Sequence, residues 1–289
     1  MDAISRIERT LNASLARADG PGGPPLLGAA MRHAVFPRGA RIRPRLCLAV
    51  AAACGDDQPA ASSAAAAAIE LLHCASLIHD DLPCFDDADT RRGRPTVHRA
   101  FGVPLAVLAG DALIVLAFQT LAWGTARANR RLPALMLTIG RAVGAPHGIA
   151  AGQAWECEPN ADLGEYQRAK TGALFAAATV AGAAAAGAEP EPWRVLGERL
   201  GEAYQVADDI GDVLSNAADL GKPAGRDQAL GRPNAALTMG VEGAMRHLEV
   251  LANAAADSIP PCPGREELKK LTLSEAHRLL PRELSRHAA

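Results

Sequence analysis

Apolar residues run along this chain in long stretches that are rich in alanine, most clearly in ASSAAAAAIELLHCASLIHDD and ALFAAATVAGAAAAGAE. Alanine is the best intrinsic helix former and is depleted from strands. No stretch alternates polar with apolar residues, as a half-buried strand would, and the turn signals are widely spaced. The pattern therefore predicts an all-α fold.

Short clusters of glycine, proline and charged residues separate the predicted helices. They include ADGPGGPP, CGDDQP, GAPHG, GAEPEP, LGKPAGRDQALGRPN and IPPCPG. None is long enough or simple enough in composition to act as a flexible tether, and no segment repeats at a fixed period. We therefore expect residues 1–289 to form a single domain.

Composition and charge narrow the possible functions. The 289 residues include 30 basic and 32 acidic side chains, which give a formal net charge of −2. Nonspecific binding to a phosphate backbone needs a strongly basic surface, so a nucleic-acid partner is not expected. The six cysteines include no Cys-x-x-Cys pair of the kind that binds zinc.

Two further expectations concern the location of the protein. The N-terminal segment carries charges such as Arg6 and Glu8 where an export signal would need an apolar core, so we expect a cytoplasmic protein. The apolar stretch from Pro104 to Gly124 is interrupted by Asp111 and Gln119, so we expect no transmembrane segment.

The densest cluster of ionisable residues lies in IHDDLPCFDDADTRRGRPTVHR. Asp80, Asp81 and Asp86 come first, and Arg91 and Arg92 follow. Crowded carboxylates repel one another and lose hydration, a cost that a divalent cation offsets. Oxygen ligands of this kind suit magnesium, and arginine is shaped to bind phosphate oxygens. A solvated acidic loop that caps a helix is the alternative for this motif taken alone.

Helix geometry alone would keep the carboxylates of this motif apart. On an ideal helix Asp86 is rotated roughly 240° from Asp80. Pro83 removes a backbone donor and breaks or bulges the helix. We therefore expect the segment from Leu82 to Phe85 to bring Asp86 back beside Asp80.

A second acidic cluster, formed by Asp208, Asp209 and Asp212, lies in YQVADDIGDVLSN. Asp208 and Asp212 are spaced i, i+4 and share one helix face. Their neighbours include Val206 and Ile210, so the acids lie on a largely buried helix, where uncompensated charge is costly. Two such clusters in one chain predict a cation site between them.

The chain resembles the trans-polyprenyl diphosphate synthases, and most closely the bacterial geranylgeranyl diphosphate synthases of the carotenoid-biosynthesis type. The resemblance rests on FPRGARIRP, LLHCASLIHDDLPCFDDADTRRGRPTVHRAFG, LAGDAL, AGQAWE, AKTGALF, YQVADDIGDV and LGKPAGRD, in the family's order and approximate spacing. It implies the isoprenoid synthase fold, which is a single bundle of long helices around a deep central cavity, and a homodimer.

The resemblance also implies the reaction. Isopentenyl diphosphate would add to an allylic diphosphate with a dimethylallyl, geranyl or farnesyl tail. About three magnesium ions would stabilise the leaving diphosphate as the C–O bond breaks. The double bond of isopentenyl diphosphate then attacks the allylic cation, and loss of a proton completes the head-to-tail addition. The implied magnesium ligands are Asp80, Asp81, Asp86, Asp208, Asp209 and Asp212.

The same resemblance implies which residues bind the substrates. Those expected to contact the allylic diphosphate are Arg91, Lys170 and Lys222. Those expected to hold isopentenyl diphosphate are Arg43, His73 and Arg92. Thr171 and Gln205 match the polar positions that face the developing cation.

The chain departs from the family pattern in the loop before Arg43. The family usually has Gly-Lys-Arg where this chain has Gly39, Ala40 and Arg41. Either Arg38, Arg41 or Arg45 substitutes for the lysine, or isopentenyl diphosphate binds more weakly and Arg43 carries more of the load.

Two other positions also differ from the family. Arg232, Pro233 and Asn234 replace a later motif that contains a lysine and a threonine, so we assign no phosphate role there. Glu156 stands where an aspartate often follows the Gln153 motif.

Product length in the family is limited by bulk below the first aspartate motif. Ala75, five residues before Asp80, and Ser76 are small and leave the cavity open, which favours a C20 product over a C15 product. One helical turn deeper, Leu71 and Leu72 would form the floor. A farnesyl diphosphate synthase is therefore the second choice.

Other classes of protein fit less well. Terpene cyclases of this fold generally have an Asn/Ser/Glu set where this chain keeps its second aspartate cluster, and a noncatalytic regulatory subunit normally loses one cluster. A di-iron helical bundle needs two Glu-x-x-His pairs, and this chain has only Glu70 with His73.

Overall fold

The computed structural model describes residues 2–20, 22–36, 39–160, 163–214 and 234–278. The helices of the first half are α1 (Ala3–Ala18), α2 (Pro25–Val35), α3 (Ile42–Ala53), α4 (Pro59–Asp80), α5 (Val97–Phe101), α6 (Val103–Gly124) and α7 (Leu132–Val143). Those of the second half are α8 (Ile149–Trp155), α9 (Leu163–Gln167), α10 (Ala173–Ala186), α11 (Arg194–Leu214), α12 (Ala235–Asp257) and α13 (Arg265–Arg278).

Five short elements complete the described structure. A π-helical turn, Arg168–Gly172, joins α9 to α10, and 3₁₀ turns lie at Asn129–Arg131 and Glu191–Trp193. Two short strands, β1 (Thr90–Arg91) and β2 (Arg94–Pro95), form an antiparallel hairpin after α4. The described part of the chain is thus mainly helical, and the predicted all-α fold class is confirmed.

The two alanine-rich helices, α4 and α10, form the centre of the bundle. Nearly every side chain of α10 is buried, and so is most of α4. Helix α4 packs mainly against α6, α3 and α10, while α10 also packs against α7 and α11. A Cβ atom on Gly182 would overlap with the carbonyl oxygen of Cys47, so α10 and α3 approach closely. Small side chains therefore give this bundle its dense packing.

A second layer covers one side of the central helices. Helix α11 packs against α10 and α12, and α12 packs against α13. The interface between α10 and α11 needs Gly197, because a Cβ atom there would meet the backbone of Phe175 and Ala176. This layer brings the aspartates of α11 to the end of the bundle where α4 ends and α10 begins.

Three helical stretches are long and apolar enough to cross a membrane by length and composition alone. They are Pro59–Asp80, Val103–Gly124 and Gly164–Ala186. Of their most apolar windows, 78%, 44% and 72% respectively lie buried inside the protein. The expectation that no segment spans a membrane stays a prediction, because these three helices have the length and hydropathy of membrane-spanning helices.

Candidate active site

The first acidic cluster lies where α4 ends. The helix stops at Asp80, and Pro83 cannot donate a backbone hydrogen bond to continue it. The chain instead turns back, and the backbone N–H of Asp86 donates to the carbonyl oxygen of Asp80 at 2.9 Å. Asp86 therefore lies beside Asp80, as the sequence predicts, and the helix is broken at this point rather than bulged.

The β-hairpin that follows brings Arg91 into the acidic cluster. Its Nε atom donates to Oδ1 of Asp81 at 3.0 Å, and its Nη2 atom lies 3.9 Å from Oδ2 of Asp80. Burial raises the pKa of Asp81, and Arg91 opposes that shift. The predicted phosphate ligand is therefore already in contact with the predicted metal ligands.

The π-helical turn between α9 and α10 carries Lys170. Its Nζ atom donates to Oδ1 of Asp80 at 2.9 Å and to Oε1 of Glu156 at 2.5 Å. Burial alone would lower the pKa of Lys170, but Asp80, Tyr166 and Glu156 together raise it above its usual value. A Cβ atom on Gly152 would overlap with the backbone of Lys170, so α8 packs directly against this turn. Such π-helical turns are frequent at functional sites.

The next residue of the turn, Thr171, faces the second acidic cluster. Its hydroxyl donates to Oε1 of Gln205 at 3.4 Å, and Nε2 of Gln205 donates to Oδ1 of Asp209 at 3.0 Å. Asp209 is buried and also accepts from the backbone N–H of Ala235 at 2.7 Å, which ties α11 to the start of α12. Lys170 and Thr171 thus link the two acidic clusters across the end of the bundle.

Asp208 and Asp212 lie one helical turn apart on α11 and are both partly exposed. Lys222, Arg232 and Pro233 lie outside the described residues. The predicted role of Lys222 at the allylic diphosphate therefore stays a prediction.

The predicted isopentenyl diphosphate ligands form a second, basic group. Arg43 is buried, with its guanidinium carbon 4.4 Å from the ring centre of Phe175 and 5.5 Å from that of Tyr204. Its Nε atom is buried and has no hydrogen-bond partner in the described part of the structure. The guanidinium of Arg92 lies so close to Gly39 that a Cβ atom there would overlap with it.

The electrostatics of this basic group favour an anion. Burial lowers the pKa of His73 well below 6.5, and Arg43, Arg92, Arg91 and Arg41 lower it further, so the imidazole is neutral at pH 7. Burial also lowers the pKa of Arg43, as does the nearby Arg92. A phosphate group would relieve the repulsion and provide the missing hydrogen-bond acceptor.

The arginines considered as substitutes for the missing lysine at position 40 are engaged elsewhere. Arg41 is fully buried and donates to Glu70 at 2.5 Å and to Glu8 at 2.9 Å. Arg45 donates to both carboxylate oxygens of Glu275, at 2.6 and 2.9 Å. Both arginines are thus paired with carboxylates of the chain, and Arg38 lies outside the described residues, so which arginine replaces the lysine stays a prediction.

The residues predicted to set product length lie on α4 below Asp80. Ala75 is 1% exposed, and the hydroxyl of the partly exposed Ser76 donates to the carbonyl oxygen of His73 at 2.9 Å. Leu71 and Leu72, a turn deeper, are buried in the main core cluster.

One cavity, of about 400 Å³ including the part open to solvent, lies beside α4. Cys74 and Ile78 of α4 line it together with Asp81, which follows the helix, and so do His33 of α2 and Arg94 of the hairpin. The deep central cavity implied by the resemblance stays a prediction.

The acidic side chains suit magnesium by their chemistry, since they are carboxylates that provide only oxygen ligands. Within the described ranges, no three Asp, Glu, His or Cys side chains are grouped closely enough to hold an ion. Asp80 and Asp81 instead contact Lys170 and Arg91. A metal ion bound here would therefore compete with these cations for the carboxylates.

The surroundings of Glu156 are not predicted by the sequence, where this residue is a departure from the family pattern. The structure places it in contact with Lys170, Tyr166 and Gln153. The only signal in the sequence is the i, i+4 spacing of Tyr166 and Lys170, which is common in any helix.

Comparison with known proteins identifies the class to which this fold and site belong. The profile of the polyprenyl synthetase family matches residues 24–259. The chain belongs to the polyprenyl synthetase family. The resemblance seen in the sequence is confirmed, and with it the prediction of a prenyltransferase of isoprenoid biosynthesis.

Individual relatives narrow this class further. The chain is 53% identical to the geranylgeranyl diphosphate synthase of Cereibacter sphaeroides and 52% identical to that of Rhodobacter capsulatus, with 97% of each chain covered. Both are enzymes of the kind predicted from the sequence. It is also similar to the crystal structure of a Helicobacter pylori geranyltransferase complexed with magnesium and isoprenyl diphosphate, with a TM-score of 0.78, 27% identity, and 96% and 98% of the two chains covered.

Proposed function

We propose that this protein condenses isopentenyl diphosphate with an allylic diphosphate to form geranylgeranyl diphosphate. The observation that carries the proposal is the link formed by Lys170 and Thr171. Lys170 contacts the first acidic cluster through Asp80, and Thr171 contacts the second through Gln205. The 52–53% identity to two geranylgeranyl diphosphate synthases supports the C20 product.

The acidic clusters would provide the ligands for about three magnesium ions, which would supply the Lewis acidity that weakens the bond to diphosphate. The Helicobacter pylori relative, complexed with magnesium and isoprenyl diphosphate, supports this choice of metal. The proposed ligands are Asp80, Asp81, Asp86, Asp208, Asp209 and Asp212. The two acidic clusters would together hold these ions.

The remaining polar residues would bind and orient the two substrates. Lys170, Arg91 and Lys222 donate to the allylic diphosphate, and the hydroxyl of Thr171 and the amide of Gln205 direct their oxygen atoms at the allylic cation as it forms. Arg43, His73 and Arg92 hold isopentenyl diphosphate. Neutral His73 can donate one N–H to a phosphate oxygen, and Arg43 has an Nε donor available for the same anion.

The direct test is to incubate the protein with isopentenyl diphosphate and each allylic primer, with and without magnesium, and to identify the products by mass. We expect geranylgeranyl diphosphate, formed only with the metal. Farnesyl diphosphate as the final product would contradict the C20 assignment, and no condensation with any primer would contradict the proposed function.

The depth of the product cavity is tested separately at Ala75. Replacing this side chain by phenylalanine adds bulk one and a half turns below Asp80, so Ala75→Phe should shift the product from C20 towards C15. Val250→Phe, an exposed change on α12, provides the control and should leave the product unchanged. Geranylgeranyl diphosphate as the only product of Ala75→Phe would show that the tail does not grow past this position.

The exposed apolar face of α6 supports a homodimer. Val103, Val107, Leu108 and Val115 follow a helical spacing on this helix and are all exposed. The exposed Asp111 lies on the same side of the helix, and exposed apolar side chains around a polar residue are typical of protein interfaces. Sedimentation should show a dimer that Leu108→Glu with Val115→Glu splits into monomers, whereas Val250→Glu on α12 should leave it intact. A wild-type monomer would contradict the proposal.

The place in carotenoid biosynthesis and the cytoplasmic location expected from the sequence stay predictions.

A further inference from the structure

Lys170 lies between two carboxylates that differ in their proposed use. Its Nζ atom donates to Asp80 at 2.9 Å and to Glu156 at 2.5 Å. In the proposed function Asp80 binds magnesium, whereas Glu156 belongs to neither aspartate motif. A carboxylate oxygen that binds a metal ion is a poorer acceptor for an ammonium group, because the metal repels the second cation.

The carboxylate of Glu156 is itself held in place from two directions. Gln153, one turn earlier in the chain, donates to its Oε2 atom at 2.7 Å. The hydroxyl of Tyr166 donates to its Oε1 atom at 2.7 Å. The ring of Tyr166 also lies 5.6 Å from the Nζ atom of Lys170. Glu156, Gln153 and Tyr166 thus together define where the ammonium group of Lys170 lies.

Resting on the function proposed above, we propose that Glu156 is a positioning residue that keeps Lys170 directed at the allylic diphosphate once Asp80 binds magnesium. Gln153 and Tyr166 fix the orientation of Glu156, and Glu156 in turn fixes the ammonium group. If Glu156 were absent, Asp80 would be the carboxylate left in contact with Lys170. The lysine would then compete with the metal for Asp80.

The first test compares kinetic constants of the wild type with those of Glu156→Gln, a change that keeps the shape of the side chain but removes its charge. We expect the KM for the allylic diphosphate and the magnesium concentration for half-maximal rate to rise about tenfold, the equivalent of one lost charged contact. The KM for isopentenyl diphosphate should stay within about twofold, because its proposed ligands lie elsewhere. An equal change in both KM values would overturn the proposal.

Two further variants distinguish positioning from a general structural effect. Glu156→Asp keeps the charge and should restore most of the affinity for the allylic substrate that Glu156→Gln loses. Glu165→Gln, which removes a carboxylate that pairs with the exposed Arg168, is the matched control and should change neither KM. If Glu156→Asp were as impaired as Glu156→Gln, the charge would not be the cause and the proposal would fail.

A second readout does not depend on activity. The chain contains only four lysines, Lys170, Lys222, Lys269 and Lys270, so acylation by an N-hydroxysuccinimide ester is readily mapped by mass spectrometry. The Nζ atom of Lys170 donates to Glu156 in the wild type. In metal-free Glu156→Gln this charged contact is lost, so Lys170 should be acylated several-fold faster relative to Lys270 than in the wild type.

The outcomes separate this proposal from the proposed function. If the wild type makes no prenyl product, the proposed function fails. If the wild type is active but Glu156→Gln shows an unchanged KM for the allylic diphosphate and unchanged labelling of Lys170, the positioning role fails alone.

Discussion

The acidic and the basic side of the site differ in how the protein balances their charge. On the acidic side, Asp80 accepts from Lys170 at 2.9 Å and Asp81 accepts from Arg91 at 3.0 Å. On the basic side, Arg43 is buried, its pKa is lowered by burial, and its Nε atom has no partner among the residues described. The acidic side is thus balanced by cations of the chain itself, while the basic side holds a desolvated charge.

This difference indicates how each side responds to its ligand. Metal ions at the acidic side compete with Lys170 and Arg91 for the carboxylates, and the charges of these two residues then become available for a diphosphate. An anion at the basic side only adds partners to a group whose burial is costly without them. Changes on the acidic side should therefore reduce turnover with little loss of stability, and changes on the basic side should alter both substrate affinity and stability.

The largest expected effect is at Asp80. Asp80→Asn removes a proposed metal ligand, so the rate of condensation should fall by about a thousandfold or more. The free energy of unfolding should change little, because Lys170 still contacts Glu156. Product formation and urea unfolding measure the two quantities. Asp89→Asn, on the exposed loop, is the matched control and should keep normal turnover. Near-normal turnover in Asp80→Asn would contradict the role of Asp80 as a metal ligand.

The next effect separates affinity from stability at Arg43. Arg43→Met removes the buried charge but keeps a flexible apolar side chain against Phe175 and Tyr204. The KM for isopentenyl diphosphate should rise by about a hundredfold. The free energy of unfolding should rise by about 1 kcal/mol, since a buried charge replaced by an apolar group is often stabilising. If Arg43→Met were less stable than the wild type and had an unchanged KM, Arg43 would neither bind isopentenyl diphosphate nor be a costly buried charge.

A smaller effect is expected where the chain lacks the family's usual lysine. Ala40→Lys adds a cation next to Gly39, which contacts Arg92, so the KM for isopentenyl diphosphate should fall several-fold. The KM for the allylic substrate should not change. Ala40→Gln has a long uncharged side chain and serves as the control. If both variants gave the wild-type KM, the residue at position 40 would not face the diphosphate.

The smallest expected effect is the pH dependence caused by His73. Well above about pH 6.5 its imidazole is neutral in the folded and the unfolded protein. As the pH decreases below this value, the unfolded chain takes up a proton at His73 that the folded protein does not, because the fold lowers the pKa of His73. The free energy of unfolding therefore decreases as the pH decreases. His73→Gln should flatten this fall between pH 6.5 and 5.5, as measured by urea unfolding. An unchanged slope would show that His73 titrates normally.

The sequence predicted the features that depend on local pattern. The alanine runs became the central helices α4 and α10, and the break at Pro83 brings Asp86 beside Asp80. Both follow from residue types and spacing, because helix propensity and the missing N–H of proline are local properties.

Features that depend on partners distant in the chain were not predicted. The π-helical turn at Lys170 has the same apolar pattern as an α-helix. The sequence therefore does not predict the change that this turn makes in the direction of the Lys170 side chain. The complete burial of Arg41 depends on Glu8 and Glu70, which lie on two other helices. Likewise, only the folded chain shows that Glu156 contacts Lys170.

The central claim is that the two acidic clusters hold magnesium around one diphosphate. Crystals grown with manganese and inorganic diphosphate test it most directly, because manganese gives anomalous peaks at positions that magnesium would take. We predict peaks within coordinating distance of both Asp80 and Asp208, with the diphosphate between them and Lys170 turned from Asp80 to a phosphate oxygen. Metal peaks at only one cluster, or a diphosphate bound away from both, would contradict the account.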